Sequence, residues 1–418
     1  MIGTFILTRN NTGRSGTENT IKPPAAFPMA REPRCPFDPP PMASAAQEAG
    51  PLTRVELSDG STPWFVTRYA EQRALLSDPR ISADVTRPGY PIPANSGSTA
   101  SPFSFILMDD PEHARLRRMV TAPFMVKRVQ AMRPGVQKIV DDLIDDMLAA
   151  GGPVDLVEAF ALPMPSLVIC ELLGVPYSDH SFFQRNSNAL INRQANPQER
   201  RAAVEALVGY LHGLLEMKKN HPADDVFSDL ARRVRDNQLT NDDAAMMGVL
   251  LLVAGHETTA NMIALGTLAL LQHPDQLKLL KESDDPALVT SAVEELLRYL
   301  TITHDGRKRL AVEDIEISGS TIRAGEGVIM ATDLANRDPE AFSDPDRLDL
   351  GRDARHHMAF GFGVHQCLGQ PLARMELEVA YSTLFRRIPD LRLATTLAKV
   401  PFKNDGSVYG VYELPVTW

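Results

Sequence analysis

One cysteine of this chain stands where a thiolate can do chemistry. In Phe360-Gly-Phe-Gly-Val-His-Gln-Cys-Leu-Gly-Gln-Pro-Leu-Ala-Arg374 it follows two glycines, precedes a third and leads into a helical pattern. Gly361, Gly363 and Gly369 let the backbone turn tightly and approach a flat ligand with no Cβ in the way. Beyond Cys367, Pro371 falls in a first helical turn, and Leu372, Met375, Val379, Ala380 and Leu384 continue an apolar helical pattern to a stop at Pro389. The sulfur is therefore expected at a helix N-terminus, where unpaired N–H groups and the positive end of the dipole favour the thiolate and lower its pKa. A thiolate so held can be the axial ligand of haem iron. A single cysteine beside glycines otherwise reads as a small buried hydrophobe. Two other readings fail on spelling: Gly361-Phe-Gly363-Val-His-Gln366 lacks the third glycine of a dinucleotide fingerprint, and three cysteines in the whole chain are a poor basis for structural zinc.

A second group of polar residues interrupts the best helical pattern. Thr240, with Asp243 three residues on, caps a helix predicted to run to about Gln272 and to measure roughly 50 Å. At its centre lies Ala254-Gly-His-Glu-Thr-Thr259, a glycine, an acid and two β-branched hydroxyls among apolar neighbours. Such a break in local rules marks functional or strained sites. A mid-helix threonine can bond back to the carbonyl four residues earlier and open a notch for a small ligand and water. His256-Glu-Thr-Thr-Ala260 is no zinc-protease motif, because alanine stands where the second histidine belongs.

Two further motifs carry charge at helical spacing. Asp110-Pro-Glu-His-Ala-Arg-Leu-Arg117 predicts a helix with Asp110 as cap and Pro111 at its first position, placing His113 and Arg117 on one face. In Ala292-Val-Glu-Glu-Leu-Leu-Arg298, either Glu294 or Glu295 can pair with Arg298, and spacing alone does not choose.

These residues need a scaffold, and the composition describes it. The 418 residues show no internal linker, so one large domain over 28–418 is expected, with 1–27 a disordered extension. Hydrophobic residues make up 44% and charged residues 23%, the balance of a soluble globular protein. A net charge of -10 argues against nucleic acid as a partner. Cys35, Cys170 and Cys367 are too few for a disulfide framework, which fits a cytoplasmic location. The apolar run Met1–Thr8 is too short for a signal peptide or membrane anchor, so no membrane association is expected. Helical patterns dominate, notably over 136–177 and 198–219. Arg54-Val-Glu-Leu to Trp64-Phe-Val-Thr and Asp314 to Ile322 read as hairpins of a small peripheral sheet. Residues 86–104 read as a long loop.

The pattern Phe360-x-x-Gly363-x-x-x-Cys367-x-Gly369, with His365 and Leu372-Ala373-Arg374, resembles the haem-binding loop of the cytochrome P-450 monooxygenases. Ala254–Thr259 and the Glu-x-x-Arg spacing resemble two more of that family's motifs, and the soluble bacterial members are the closer match. The resemblance implies a mainly α single-domain fold with small β-sheets, and haem b ligated by Cys367 with Phe360, Gly361 and Gly369 around it. It places His113, Arg117 and His365 on haem propionates, joined by Arg309 on its distance from Gly319 or by Arg307 on its Asp-Gly-Arg context, with Arg309 preferred. It selects Glu295 with Arg298 as a buried structural pair. It makes Gly255, Glu257 and Thr258 the oxygen-activating residues, Thr258 bonding to oxygen at the iron and Glu257 linking the site to bulk protons.

The implied reaction is O2-dependent hydroxylation or epoxidation of a lipophilic small molecule, such as a natural-product intermediate or xenobiotic. Electrons are expected from NAD(P)H through a ferredoxin reductase and a ferredoxin docked on the cysteine side near Arg115, Arg118 and Arg374. A monomer is expected. Phe103, Leu250, Val253, Ala254, Thr303 and Phe402 are the expected pocket lining. Rival readings are a peroxide-driven peroxygenase, an oxidase that couples or rearranges its substrate, and a non-catalytic haem sensor.

Overall fold

Thr240 and Asp243 form the capping box that the sequence predicts, each side chain bonding the other residue's backbone N–H. The helix they start runs from Asn241 to Gln272 and is the axis on which the remaining elements pack. In this computed structural model the described residues are 24–92, 105–192 and 194–418. Their helices are α1 (Pro41–Ala49), α2 (Tyr69–Ser77), α3 (Glu112–Thr121), α4 (Val126–Ala150), α5 (Pro163–Leu173), α6 (His180–Ile191), α7 (Pro197–Asn220), α8 (Val226–Arg235), α9 (Asn241–Gln272), α10 (Pro274–Glu282), α11 (Pro286–Leu300), α12 (Thr332–Ala335) and α13 (Gln370–Arg387).

Helix α9 is long and apolar enough to cross a membrane, yet 83% of its most apolar window is buried inside the protein, so it is a core helix. It packs against α5, α7, α11 and α13. Its contact with α5 is close because Gly255 has no side chain: a Cβ there would lie 2.7 Å from Ile169 Cδ1.

The strands are short and, among the described residues, form three separate sheets. They are β1 (Ala25–Ala26), β2 (Leu52–Glu56), β3 (Trp64–Val66), β4 (Ile81–Ser82), β5 (Val154–Asp155), β6 (Arg307–Ala311), β7 (Ile315–Ile317), β8 (Ser320–Ile322), β9 (Gly327–Met330), β10 (Arg392–Leu393) and β11 (Pro415–Thr417). The largest sheet has the order β1-β2-β3-β9-β6-β4. Both expected hairpins form, β2 with β3 and β7 with β8, each antiparallel.

Three expectations need adjustment. Ala25–Ala26, inside the segment expected to be disordered, pairs in parallel with β2. Of the helices expected over 136–177, with Pro163, Pro165 and Pro176 marking ends, α5 does start at Pro163, but the first starts earlier, at Val126, runs through Pro134 and stops at Ala150, where Gly151 takes φ +73°. Helix α3 begins at Glu112 rather than Pro111, although Asp110 Oδ1 still accepts the Ala114 N–H at 3.1 Å.

Candidate active site

A cavity of about 260 Å³ separates the middle of α9 from the loop that precedes α13. Phe360, Gln366, Cys367 and Gly369 border it on the loop side, and Leu250, Ala254, Gly255 and Thr258 border it on α9. Ala254 is exposed in the midst of a buried helix because it opens onto this space.

The loop is shaped to present the sulfur. The Cys367 N–H donates to the Phe360 carbonyl at 2.8 Å and the Gln366 N–H to the Gly363 carbonyl at 3.0 Å. Gly363, at φ +74°, brings the loop so close to α2 that a Cβ would lie 2.2 Å from the Leu76 carbonyl oxygen. Helix α13 starts at Gln370 with a proline in its first turn and ends before Ile388, as its sequence predicts. Cys367 lies deep in the protein but is open to the cavity.

The expected lowering of its pKa is not what the surroundings produce. Burial pushes the thiol up, and the Gly369 N–H with the charges of Arg307, Arg117 and Arg374 only partly offsets this. A helix N-terminus is too weak to hold a thiolate against that desolvation; a bound metal cation deprotonates a coordinating thiol outright.

Around the cavity rim, polar atoms await a partner. The rings of His113 and His365 stand 4.0 Å apart. His113 Nδ1 lies 2.9 Å from Asp110 Oδ1. His113 Nε2 and His365 Nδ1 are buried without a hydrogen-bond partner. Burial, reinforced by the charges of Arg309, His113 and Arg117, pushes the His365 imidazole down to about 3. Arg117 Nη2 donates to the Gln366 carbonyl at 2.6 Å and Arg307 Nη2 to the Ala359 carbonyl at 2.9 Å. Arg307 and Arg309, two residues apart on β6, share one face. Arg307 borders the cavity, while Arg309 is not among its lining residues. Gly361 is glycine because a Cβ would lie 2.7 Å from Arg307 Nε. A flat anionic ligand with a metal at its centre fits this donor set: the Cys367 sulfur, His365 with its unpartnered Nδ1, Arg117 and Arg307 line the cavity, and the unpartnered Nε2 of His113 lies on the ring beside His365.

On α9 the polar residues bond along the helix. Thr258 Oγ1 donates to the Ala254 carbonyl at 2.8 Å, the back-bond its sequence predicts, and Asn261 Nδ2 to the Glu257 carbonyl at 2.7 Å. Glu257 is buried and faces away from the cavity lining. Its carboxylate lies 3.5 Å from His256 Nε2 and 4.0 Å from Lys403 Nζ. Burial pushes Glu257 up, but His256, Lys403 and Asn261 outweigh it and hold the carboxyl below its ordinary value. Gly255 borders the cavity, but the space of its missing Cβ is filled by Ile169. Glu376 of α13, which sequence reasoning passed over, also borders the cavity; neither of its buried carboxyl oxygens has a hydrogen-bond partner, and burial pushes it up to about 8.

Behind the cysteine loop both candidate glutamates are buried, each with its own partners. Arg298 Nε and Nη2 meet Glu295 at 2.7 and 2.8 Å, and Arg298 Nη1 reaches the carbonyls of Asn336 and Pro345 at 2.8 and 2.7 Å. Glu295 Oε1 also accepts the Asp349 N–H at 3.0 Å. Glu294 instead meets Arg374 Nε at 2.5 Å and His357 Nε2 at 3.1 Å. Arg374, expected on a docking face, is thus an internal ion-pair partner. Arg115 pairs with Glu112, while Arg118 is exposed.

The expected pocket is partly corrected. Leu250, Ala254 and Thr303 line the cavity, with Ile302 and Leu251 beside them. Val253 is buried in the core outside the lining. Phe402 stacks on Tyr409 and lines a separate cavity with Arg31. Phe103 lies outside the described residues.

Comparison with known proteins decides the family. Residues 42–389 match the family model described as cytochrome P-450. The chain belongs to the cytochrome P-450 family. It is 57% identical to cytochrome P-450 GfsF of Streptomyces halstedii over 94% of this chain and 96% of that protein. It is 49% identical to pentalenic acid synthase of Streptomyces avermitilis over 96% of this chain and 98% of that one. The crystal structure of GfsF superposes with a TM-score of 0.89 over 94% of this chain and all of that one, at 56% identity. The mycinamicin VIII C21 methyl hydroxylase MycCI of Micromonospora griseorubida, bound to mycinamicin VIII, superposes at 0.88 over 94% of this chain and 100% of that chain, with 40% identity. This cytochrome P-450 is a monooxygenase with the mainly helical fold of its relatives, and its family implies haem iron and O2.

Proposed function

We propose that this cytochrome P-450 hydroxylates or epoxidises a lipophilic natural-product intermediate or xenobiotic, with haem b ligated by Cys367. The observation that carries this reading is the cavity itself, with the Cys367 sulfur on one side, Ala254 and Thr258 on the other, and apolar walls between. Haem bound there would supply the reductive activation of O2, with Cys367 as its thiolate donor. His113, His365 and Arg117 hold the propionates, with a further arginine from β6, Arg309 or Arg307. The apolar side chains of Leu250, Leu251 and Ile302 bury the substrate and exclude water. Thr303 offers one hydroxyl within that wall.

Thr258 holds a proton at Oγ1 beside the reacting oxygen, and Glu257 passes protons toward it from the side of Lys403, which is partly exposed. This division suits the O2-dependent route over a peroxide-driven one. Electrons come from NAD(P)H through a reductase and a ferredoxin, the protein acting as a monomer in the cytoplasm. The similarity to MycCI, a methyl hydroxylase, supports hydroxylation as the outcome.

A ligand library scanned against the haem-loaded protein for the Soret shift that binding near the haem would produce identifies binders. Turnover of those binders under isotopically labelled dioxygen, with ferredoxin and reductase, then tests the reaction. One labelled oxygen atom in the product is expected; a product with no added oxygen would establish coupling or rearrangement instead.

A further inference from the structure

The ion pair behind the cysteine loop has a chemistry beyond stapling two helices. Glu294, on α11, is almost fully enclosed, its side chain 3% exposed. Arg374 of α13 grips it with Nε at 2.5 Å and Nη2 at 3.1 Å, a two-pronged contact. His357 closes the third side, with Nε2 3.1 Å from Glu294 Oε2. His357 Nδ1 accepts the Ala359 N–H at 3.1 Å, so the ring proton sits on Nε2, the nitrogen nearer the carboxylate. Burial pushes Glu294 up, but the hydrogen bonds from His357 and Arg374 outweigh it and hold the carboxyl at about 2. Burial pushes His357 down, so Arg374 carries the positive charge of the cluster.

The cluster touches the ligand loop through one ring. The Arg374 guanidinium lies 4.6 Å from the centroid of Phe360, and the His357 ring lies 5.7 Å from it. Phe360 borders the cavity, and its carbonyl accepts the Cys367 N–H. The charge of Arg374 acts on the Cys367 sulfur, as do those of Arg117 and Arg307. Those two arginines bond to backbone carbonyls of the loop. Arg374 has a carboxylate of its own.

We propose that Glu294 and Arg374 tune the reduction potential of the bound haem with opposite signs, as positioning residues that act through Phe360 and the field at the thiolate. Reduction adds one electron to the iron and its thiolate. A cation nearby favours the reduced state and an anion opposes it, and the buried Glu294 and the partly buried Arg374, 28% exposed, are both screened less than a surface charge. Glu294 therefore holds down the potential that Arg374 alone would raise. This inference rests on Cys367 being the haem ligand.

Spectroelectrochemical titration of the substrate-free, haem-loaded protein tests it. Arg374→Gln should lower the potential and Glu294→Gln should raise it. Each shift should be on the order of tenfold in the ferric-to-ferrous ratio at a fixed applied potential, which is about 59 mV for a one-electron couple. Arg374→Lys keeps the charge and should stay close to the parent. A pair that merely staples helices would loosen the same loop in both variants, so shifts of the same sign, or no shift in Arg374→Gln, would overturn the proposal. Should Glu294→Gln fail to load haem, the contrast between the Gln and Lys variants of Arg374 decides alone. A parent protein without the thiolate signature would sink the haem-ligand reading instead, and is recognised before any potential is measured.

Discussion

The two sides of the cavity handle polar groups in opposite ways. Behind the cysteine loop the buried ion pairs are closely made: Arg298 serves Glu295 and three carbonyls, and Glu294 is held by Arg374 and His357, with Glu376 of α13 the exception. On the α9 side, the ion-pair partners of Glu257 stand further off, a histidine at 3.5 Å and a lysine at 4.0 Å, and the hydroxyl of Thr258 turns back on its own helix. Full partnering fixes geometry, because a buried charge that loses its partner is costly. Loose partnering leaves a group free to exchange protons and change partners. The contrast fits the proposed division, a cysteine side that stays still and an α9 side through which protons move.

The sharpest break in that contrast comes from Arg298. Arg298→Ala takes the two-pronged partner from buried Glu295 and leaves it only Arg352 Nε at 3.2 Å and the Asp349 N–H at 3.0 Å, a loss of about 3–5 kcal/mol, and should yield little haem-loaded protein. A fully loaded variant with unchanged thermal stability would mean that the cysteine side tolerates open charges after all. Next come the proton-handling residues. Glu257→Gln should slow product formation on the order of 100-fold while substrate and haem bind normally. Thr258→Ala should divert reducing equivalents to peroxide; unchanged product per NAD(P)H would remove Thr258 from the relay.

A smaller effect separates the two sides by pH. The folded pKa of Glu294 lies below its ordinary 4.5, at about 2, so its stabilising contribution is complete above about 4.5 and is lost as pH falls through that interval. The contribution amounts to about 3 kcal/mol. Denaturant titrations between neutral pH and pH 3 should show Glu294→Gln with a shallower loss of stability than the parent, and parallel curves would contradict the buried pairing. The smallest effect belongs to the surface. Arg118→Glu should slow reduction by an acidic ferredoxin a few-fold at low salt, with the difference fading as screening shortens to about 10 Å at 0.1 M. Equal rates at every salt concentration would move the docking face elsewhere.

Features set by near neighbours in the chain were legible in the sequence. The capping box of α9, the helix after Cys367, the two hairpins and the Thr258 back-bond all depend on residues within a few positions of each other. Features set by distant partners were not. The partner of Arg374 lies 80 positions away, so its spacing could not distinguish an internal ion pair from a docking cation. Glu294 and Glu295 both satisfied helical spacing, and only the packing of α13 and the Ala335–Arg347 stretch around α11 assigns each its partner. Phe402 and Val253 were apolar residues near the correct region, but stacking on Tyr409 and burial in the core turn them from the cavity. The thiol pKa failed for another reason: desolvation, invisible in sequence, outweighs the helix terminus.

The central claim, that the Cys367 thiolate ligates haem in this cavity, is tested most directly by the carbon monoxide complex of the reduced protein. The parent should show the red-shifted Soret band that a thiolate ligand produces, and Cys367→His should bind haem without that band. Persistence of the band in the variant, or its absence from the parent, would contradict the account.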